Sequence, residues 1–264
     1  MPTISSTDAE IHYEVYGQGT PVLLLAGLGG VGATWGPQLE LFARAHRVIV
    51  PDHRGTGRST HTKSGQTIAQ HAADFARIIA HEGVGPVHCI GSSTGGAITQ
   101  VLALEHAAIV RTATIASSWA APDPFFQRQF AARARMMASA GVRAASEMGA
   151  LFLFDPRFQA SNQPAVEAWV EAASAGGVAP EIGLARIDMI LAHDRLAQLQ
   201  AVRCPTLVIV GEADFCTPPH LSEQMAAAIP GAEFARLPGG HFVYMEHPAA
   251  FHARVEAFIS KHGG

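Results

Sequence analysis

CIGSSTGGAITQ, residues 89–100, is the stretch on which the fold turns. An apolar run, GPVHCIG (85–91), leads into it, and a helical pattern, GAITQVLALEHA, leaves it. Between them Gly91-Ser92-Ser93-Thr94-Gly95 spell G-x-S-x-G, with a further glycine at Gly96. At a strand-to-helix turn this motif makes a nucleophile. The turn lifts Ser93 Oγ above the sheet edge, and glycines at 91 and 95 keep Cβ atoms away from the neighbouring strand and helix. The helix behind Ser93 offers free N–H groups and the positive end of its dipole. A Gly/Ser-rich capping turn would use the same residues, so the motif needs partners elsewhere in the chain.

Two candidates follow in the order that this geometry uses. Asp214 lies in GEADFCTPP, just after the apolar run PTLVIVG (205–211). His241 lies in LPGGHFVYMEHP, just after the weaker run AEFARLPG (232–239). Alone, the first is an ordinary loop carboxylate and the second an ordinary surface histidine. Together with Ser93 they form the order Ser, Asp, His, each beyond the C-terminal end of an expected strand, where open α/β sheets bind ligands.

Further apolar runs occur at PVLLLAG (21–27), HRVIVPD (46–52) and VRTATIAS (110–117). Helical patterns separate them: TIAQHAADFARIIAHEG sets Ile68, Ala72, Phe75, Ile78 and Ile79 on one face. PPHLSEQMAAAI and HPAAFHARVEAFIS continue the alternation. Alternating strands and helices predict a parallel sheet covered on both faces. The front, PTISSTDAEIHYEVYG, reads as an antiparallel hairpin, giving a mostly parallel eight-stranded sheet. The alternation stops between about 120 and 200, where FFQRQFAARARMMASAG and ASEMGALFLF have helical periods and no strand is evident. We expect a core of residues 1–119 and 201–264 and a helical lid of residues 120–200 over Ser93. Phe125, Phe126, Met136 and Met137 are candidates for the lid's inner face, and Gly27, Trp119, Phe125, Met136 and Phe242 for the substrate pocket. An acidic substrate would need an arginine, and Arg128, Arg133, Arg135, Arg157 and Arg186 are all available.

The run LLLAGLGGVG (23–32) raises a rival possibility, because Gly27, Gly29 and Gly32 have G-x-G-x-x-G spacing after a strand and Asp52 follows about twenty residues on. A dinucleotide turn needs a helix that starts within the glycines. Here ATWGPQL follows, and Gly36 and Pro37 disfavour a helix running on from Gly29. The glycines instead let the main chain approach a substrate carbonyl, with the N–H groups of Leu28 and Thr94 as the expected oxyanion hole.

The 264 residues carry a formal charge of −4 at an isoelectric point near 6.4, which supplies no electrostatic footprint for nucleic acid or anionic membranes. No run reaches the roughly 18 apolar residues of a membrane span. MPTISSTDAEIHYEVYG has neither a basic n-region nor an apolar h-region, so the expected compartment is the cytoplasm. Cys89, Cys204 and Cys216 fit a reducing compartment. The histidines form no metal-ligand spacing, so neither metal nor organic cofactor is expected. A small-molecule substrate is the expected partner, and the oligomeric state is open.

These motifs resemble the α/β-hydrolase family over nearly the whole chain. The family's D-x-R-G-x-G-x-S loop is matched by Asp52, Arg54, Gly55, Gly57 and Ser59, which gives Asp52 a structural role. AGLGG, RGTGRS and LFLFDP are similar to small-molecule branches of the 3-oxoadipate enol-lactonase type and of the aminoacrylate hydrolase of pyrimidine breakdown. Where the family usually has His-Gly at the oxyanion loop, this chain has Ala26-Gly27. The resemblance implies hydrolysis of a small ester or lactone through an acyl-enzyme. C–C bond and aminoacrylate-type C–N hydrolysis, a cofactor-free lyase or oxygenase, and a ligand receptor stand as alternatives. A serine at position 93 argues against the relatives that use an aspartate nucleophile.

Overall fold

The computed structural model describes residues 2–175 and 178–262. Positions 1, 176, 177, 263 and 264, which belong to the expected core and lid segments, lie outside the described residues.

The chain opens with β1 (Thr3–Ser6) and β2 (Ala9–Tyr16), the predicted antiparallel hairpin. Then come β3 (Thr20–Leu25), α1 (Gly36–Phe42), β4 (His46–Pro51), α2 (Ile68–Glu82), β5 (Val87–Ser92), α3 (Thr94–Glu105) and β6 (Val110–Ala116). Among the described residues, four helices follow without a strand: α4 (Pro124–Leu153), α5 (Pro156–Ser161), α6 (Gln163–Ala175) and α7 (Pro180–Leu191). The alternation resumes with β7 (Thr206–Gly211), α8 (Pro219–Ala228), β8 (Glu233–Leu237), α9 (Val243–Glu246) and α10 (Pro248–His262).

The eight strands form one sheet in the order β1-β2-β4-β3-β5-β6-β7-β8, parallel from β4 to β8. Every residue of β5 and β7 is buried, as expected of central parallel strands covered on both faces. Helix α2 shows why the sequence pattern was readable. Thr67 caps its N-terminus by accepting from Gln70 N–H, Gly83 ends it at φ 62°, and Ile68, Phe75, Ile78 and Ile79 are buried. Each such side chain is worth about 1.5–3 kcal/mol of burial.

Two loop expectations resolve here. Pro37 does not break a helix but opens α1, whose first turn tolerates a residue without an N–H. Of the glycine run, Gly32 opens a short 3-10 turn (Gly32–Trp35) that ends at the irregular Gly36, so no continuous helix runs from the glycines into α1. Asp52 is spoken for: its Oδ1 accepts from Gly32 N–H at 2.8 Å and its Oδ2 from Arg58 N–H at 2.9 Å. Among the described residues, no helix is long and apolar enough to cross a membrane.

Candidate active site

Ser93 sits between β5 and α3 with φ 56° and ψ −117°, a conformation that costs a non-glycine residue on the order of 1–3 kcal/mol. The surroundings hold it there. Its N–H donates to Ala116 O at 2.8 Å, and its carbonyl accepts from Gly96 N–H at 2.9 Å and Ser118 Oγ at 2.8 Å. The glycines do what the motif predicts. A Cβ on Gly91 would fall 2.1 Å from Gly95 O, and one on Gly95 would fall 2.0 Å from Leu25 O.

Asp214 lies on the loop after β7 and His241 on the loop after β8, so all three residues lie beyond the C-terminal ends of parallel strands, β7 and β8 adjacent and β5 separated from β7 by β6. His241 Nδ1 is 3.1 and 3.0 Å from the two oxygens of Asp214. Both side chains are almost fully buried. The carboxylate accepts from Cys216 N–H at 2.9 Å, Thr217 N–H at 2.8 Å and Thr217 Oγ1 at 2.9 Å. With the Asp214 oxygens facing Nδ1 of the ring, the arrangement suits a His241 tautomer that donates from Nδ1 and presents Nε2 as the base. Glu246 braces the histidine loop: it accepts from Gly240 N–H at 3.0 Å and Asp155 N–H at 3.2 Å, and burial raises its pKa.

The glycine loop reaches Ser93 from the end of β3. A Cβ on Gly27 would lie 3.3 Å from Ser93 Cβ, so the expected pocket residue Gly27 is in contact range of the nucleophile. Gly30 N–H donates to Gly27 O at 2.9 Å. Across the trans peptide this turns Leu28 N–H away from the loop interior. Thr94 is the first residue of α3, where helix geometry supplies no acceptor for its N–H.

Phe242 adjoins the site, with its ring 5.6 Å from His241 and 5.5 Å from Trp169. Trp119 is buried 4.7 Å from Phe126, whose ring lies 4.6 Å from Phe130. Of the four expected inner-face residues, Phe126 and Met137 pack against the core and Phe125 and Met136 do not. Phe125 is 40% exposed, while Phe126 is fully buried. Met136 shares the flank of α4 with Phe125, and it is Met137 that packs toward Gly183 of α7. At about 100° per residue, a one-residue phase error moves a side chain off the inner face.

The arginines separate cleanly. Arg128 and Arg135 line an open depression of about 380 Å³ with Pro124, Gln127 and Ala131, on the face of α4 opposite Phe126 and Phe130. Arg157 is exposed. Arg133 lies on the inner face, half-buried, its guanidinium 5.0 Å from the Phe130 ring centre; burial lowers its pKa, and the neighbouring Cys216 partly offsets that. Arg186 is buried against the glycine loop. Sequence reasoning passed over Thr217, Ser118 and Glu246, which carry no motif and act only through the fold.

The sequence profile described as alpha/beta hydrolase fold matches residues 20–248. The chain belongs to the α/β-hydrolase family. It is 36% identical over 262 residues to a protein of Azorhizobium caulinodans provisionally named as the carbamate hydrolase RutD, covering 99% of both chains. A relative of the same name from Variovorax paradoxus is 34% identical, covering 95% of this chain and 96% of the other. Among solved α/β-hydrolases, the thermophilic esterase of Thermogutta terrifontis, determined with malate bound, aligns with a TM-score of 0.88 at 27% identity, covering 98% of each chain. The enol-lactonase of Burkholderia xenovorans aligns with a TM-score of 0.90 at 23% identity, over 98% of this chain and 100% of the other, which speaks to the fold.

Proposed function

We propose that this hydrolase cleaves a small carbonyl compound through an acyl-enzyme on Ser93, and that its bond is of the carbamate C–N type. The observations that carry the mechanism are the strained Ser93 elbow at the end of β5 and the buried His241–Asp214 pair on the loops at the same edge of the sheet. His241 Nε2 takes the Ser93 proton as Oγ attacks the carbonyl carbon, and Asp214 stabilises the imidazolium. Leu28 N–H and Thr94 N–H bind the developing oxyanion. His241 returns the proton to the departing amine or alcohol, and water then hydrolyses the acyl group. The names of the full-length relatives support the carbamate bond. Ester or lactone cleavage is the second reading, favoured by the esterase neighbour and by the lower demand of an alcohol leaving group.

The insertion α4–α7 acts as the lid. Its aromatic side chains meet the core at Trp119 and Phe242, an apolar lining that favours a small substrate. Arg133, inward-facing and beside the loop that carries Asp214, is the group that would bind a substrate carboxylate. The test is a panel of carbamates, esters, lactones and vinylogous diketones, each with and without a carboxylate, assayed on the wild type, Ser93→Ala and Arg133→Met. The wild type should turn over carbamates best. Arg133→Met should raise KM about 10–100-fold for the carboxylates alone, the scale of a charged hydrogen bond. Diketone cleavage without carbamate or ester turnover would replace this reading with C–C hydrolysis.

A further inference from the structure

Arg186 reaches from α7 into the core, is 2% exposed, and places all five of its N–H donors without meeting a carboxylate. Nε and Nη2 both donate to Leu28 O, at 3.0 and 2.7 Å. Nη1 donates to Arg54 O at 3.1 Å and Gln66 Oε1 at 3.2 Å, and Nη2 to His53 Nδ1 at 3.2 Å. The last bond requires His53 to be neutral, in keeping with a pKa driven far down by burial and by Arg186 itself. The space for the guanidinium comes from Gly30, at φ 69°, where a Cβ would fall 2.6 Å from Nη2.

A buried cation normally finds an anion. This one is spent on the carbonyl of the residue whose N–H is assigned to the oxyanion hole. The loop Gly27-Leu28-Gly29-Gly30 has three glycines, and its Leu28–Gly29 peptide is free to rotate unless something holds it. The Gly30–Gly27 bond and two bonds onto Gly30 O, from His53 N–H at 2.7 Å and Thr56 Oγ1 at 2.9 Å, fix the turn on one side. On the other side, the fork of Arg186 grips Leu28 O. Its full charge also stands one residue from where negative charge develops, in a site shielded from water.

We propose that Arg186 is a positioning residue for the oxyanion hole: the segment α4–α7 both covers the site and, through Arg186, holds the Leu28–Gly29 peptide, the one next to the Gly27–Leu28 peptide that carries the oxyanion N–H, so that the Leu28 backbone between them keeps its working orientation. The proposal rests on the serine-hydrolase reading above. It also accounts for a loop that lacks the family's usual histidine and has Ala26 in its place.

The test is the second-order rate at which an alkyl fluorophosphonate labels Ser93, read by intact mass and peptide mapping. In that step Ser93 Oγ bonds to phosphorus, fluoride leaves, His241 accepts the serine proton, and the phosphoryl oxygen occupies the oxyanion position. Arg186→Gln should slow labelling about 100–1,000-fold, the scale of losing one oxyanion donor. Arg186→Lys, which keeps the charge but not the fork, should slow it about 10–100-fold. Gln66→Met, which leaves Arg186 in place with one acceptor fewer, should slow it several-fold. With p-nitrophenyl acetate the loss should fall on kcat with KM nearly unchanged, whereas a mere tether for the lid would move KM and substrate range. Thermal unfolding identifies variants that retain the fold. Folded Arg186→Lys and Gln66→Met labelled at the wild-type rate would overturn the proposal. A wild type that is not labelled at Ser93 would overturn the serine-hydrolase reading itself.

Discussion

The loops at the strand ends and the helices of α4–α7 are held by different kinds of contact. Around Ser93 the backbone touches backbone: Gly91 against Gly95 O, Gly95 against Leu25 O, Gly211 with a Cβ position 2.1 Å from Gly240 O. Nothing there can move without moving the sheet. On α4 and α7 the close neighbours of the glycines are the ends of flexible side chains, Arg133 Nη2 at 3.1 Å from a Cβ on Gly149 and Met137 Sδ at 2.6 Å from one on Gly183, while between α4 and α5 the segment meets the histidine loop through its backbone, Asp155 N lying 2.5 Å from a Cβ on Gly240. Helix α4 even contains a break, at Gly141 with φ 86° and ψ 177°. Rigid loops suit the reacting groups, and a segment packed through adaptable side chains suits the wall that meets the substrate.

The largest effect that follows from this contrast is chemical. Ser93→Ala should lower kcat by up to roughly a million-fold, and Asp214→Asn by about ten-thousand-fold. Retention of a tenth of the wild-type rate by Ser93→Ala on the preferred substrate would break the assignment of the rigid loops.

Next in size is a paired glycine experiment. Gly95→Ala drives a Cβ to 2.0 Å from a backbone oxygen and should destabilise the fold by about 3 kcal/mol or more, with loss of activity. Gly149→Ala meets only the mobile end of Arg133 and should change stability by no more than about 1 kcal/mol, with helix propensity in its favour. Urea midpoints of the two variants decide it, and equal losses would erase the distinction.

Acid sharpens the same comparison. His88 in β5 and His193 just after α7 both have pKa values lowered to about 4, chiefly by burial. An unfolded chain takes up these protons near pH 6.5 and the folded chain near 4, so stability is intact above 6.5 and declines as pH falls through that window. Each site accounts for about 3 kcal/mol at most. His193→Gln should flatten the fall in unfolding free energy between pH 6.5 and 4, and an unchanged slope would count against a buried neutral imidazole there. The smallest expected signal is none at all: titration with NAD or NADP should give no saturable response, because Asp52 is already bonded to Gly32 and Arg58.

Legibility in the sequence followed the same divide. Strand-end residues are legible because period, glycine spacing and chain order constrain them together; Ser93, Asp214 and His241 each stand beside a recognisable strand. The helical segment obeys a period without landmarks, and a 100° step per residue turned Phe126 and Met137 inward where Phe125 and Met136 had equal claim. Arg133 and Arg186 were two of five indistinguishable arginines until the fold set one beside Phe130 and the other on Leu28. Thr217 and Glu246 each reach a group brought near only by folding, Thr217 Oγ1 to His241 Nδ1 at 3.1 Å and Glu246 across to Asp155 N–H.

The most direct test of the acyl-enzyme is to catch it. The protein mixed with excess p-nitrophenyl acetate and quenched in acid within the first turnover should release about one equivalent of nitrophenolate in a burst and carry an acetyl group on the peptide containing Ser93. His241→Ala should abolish the burst. A burst with the acetyl group on another residue, or steady turnover with Ser93 replaced by alanine, would contradict the account.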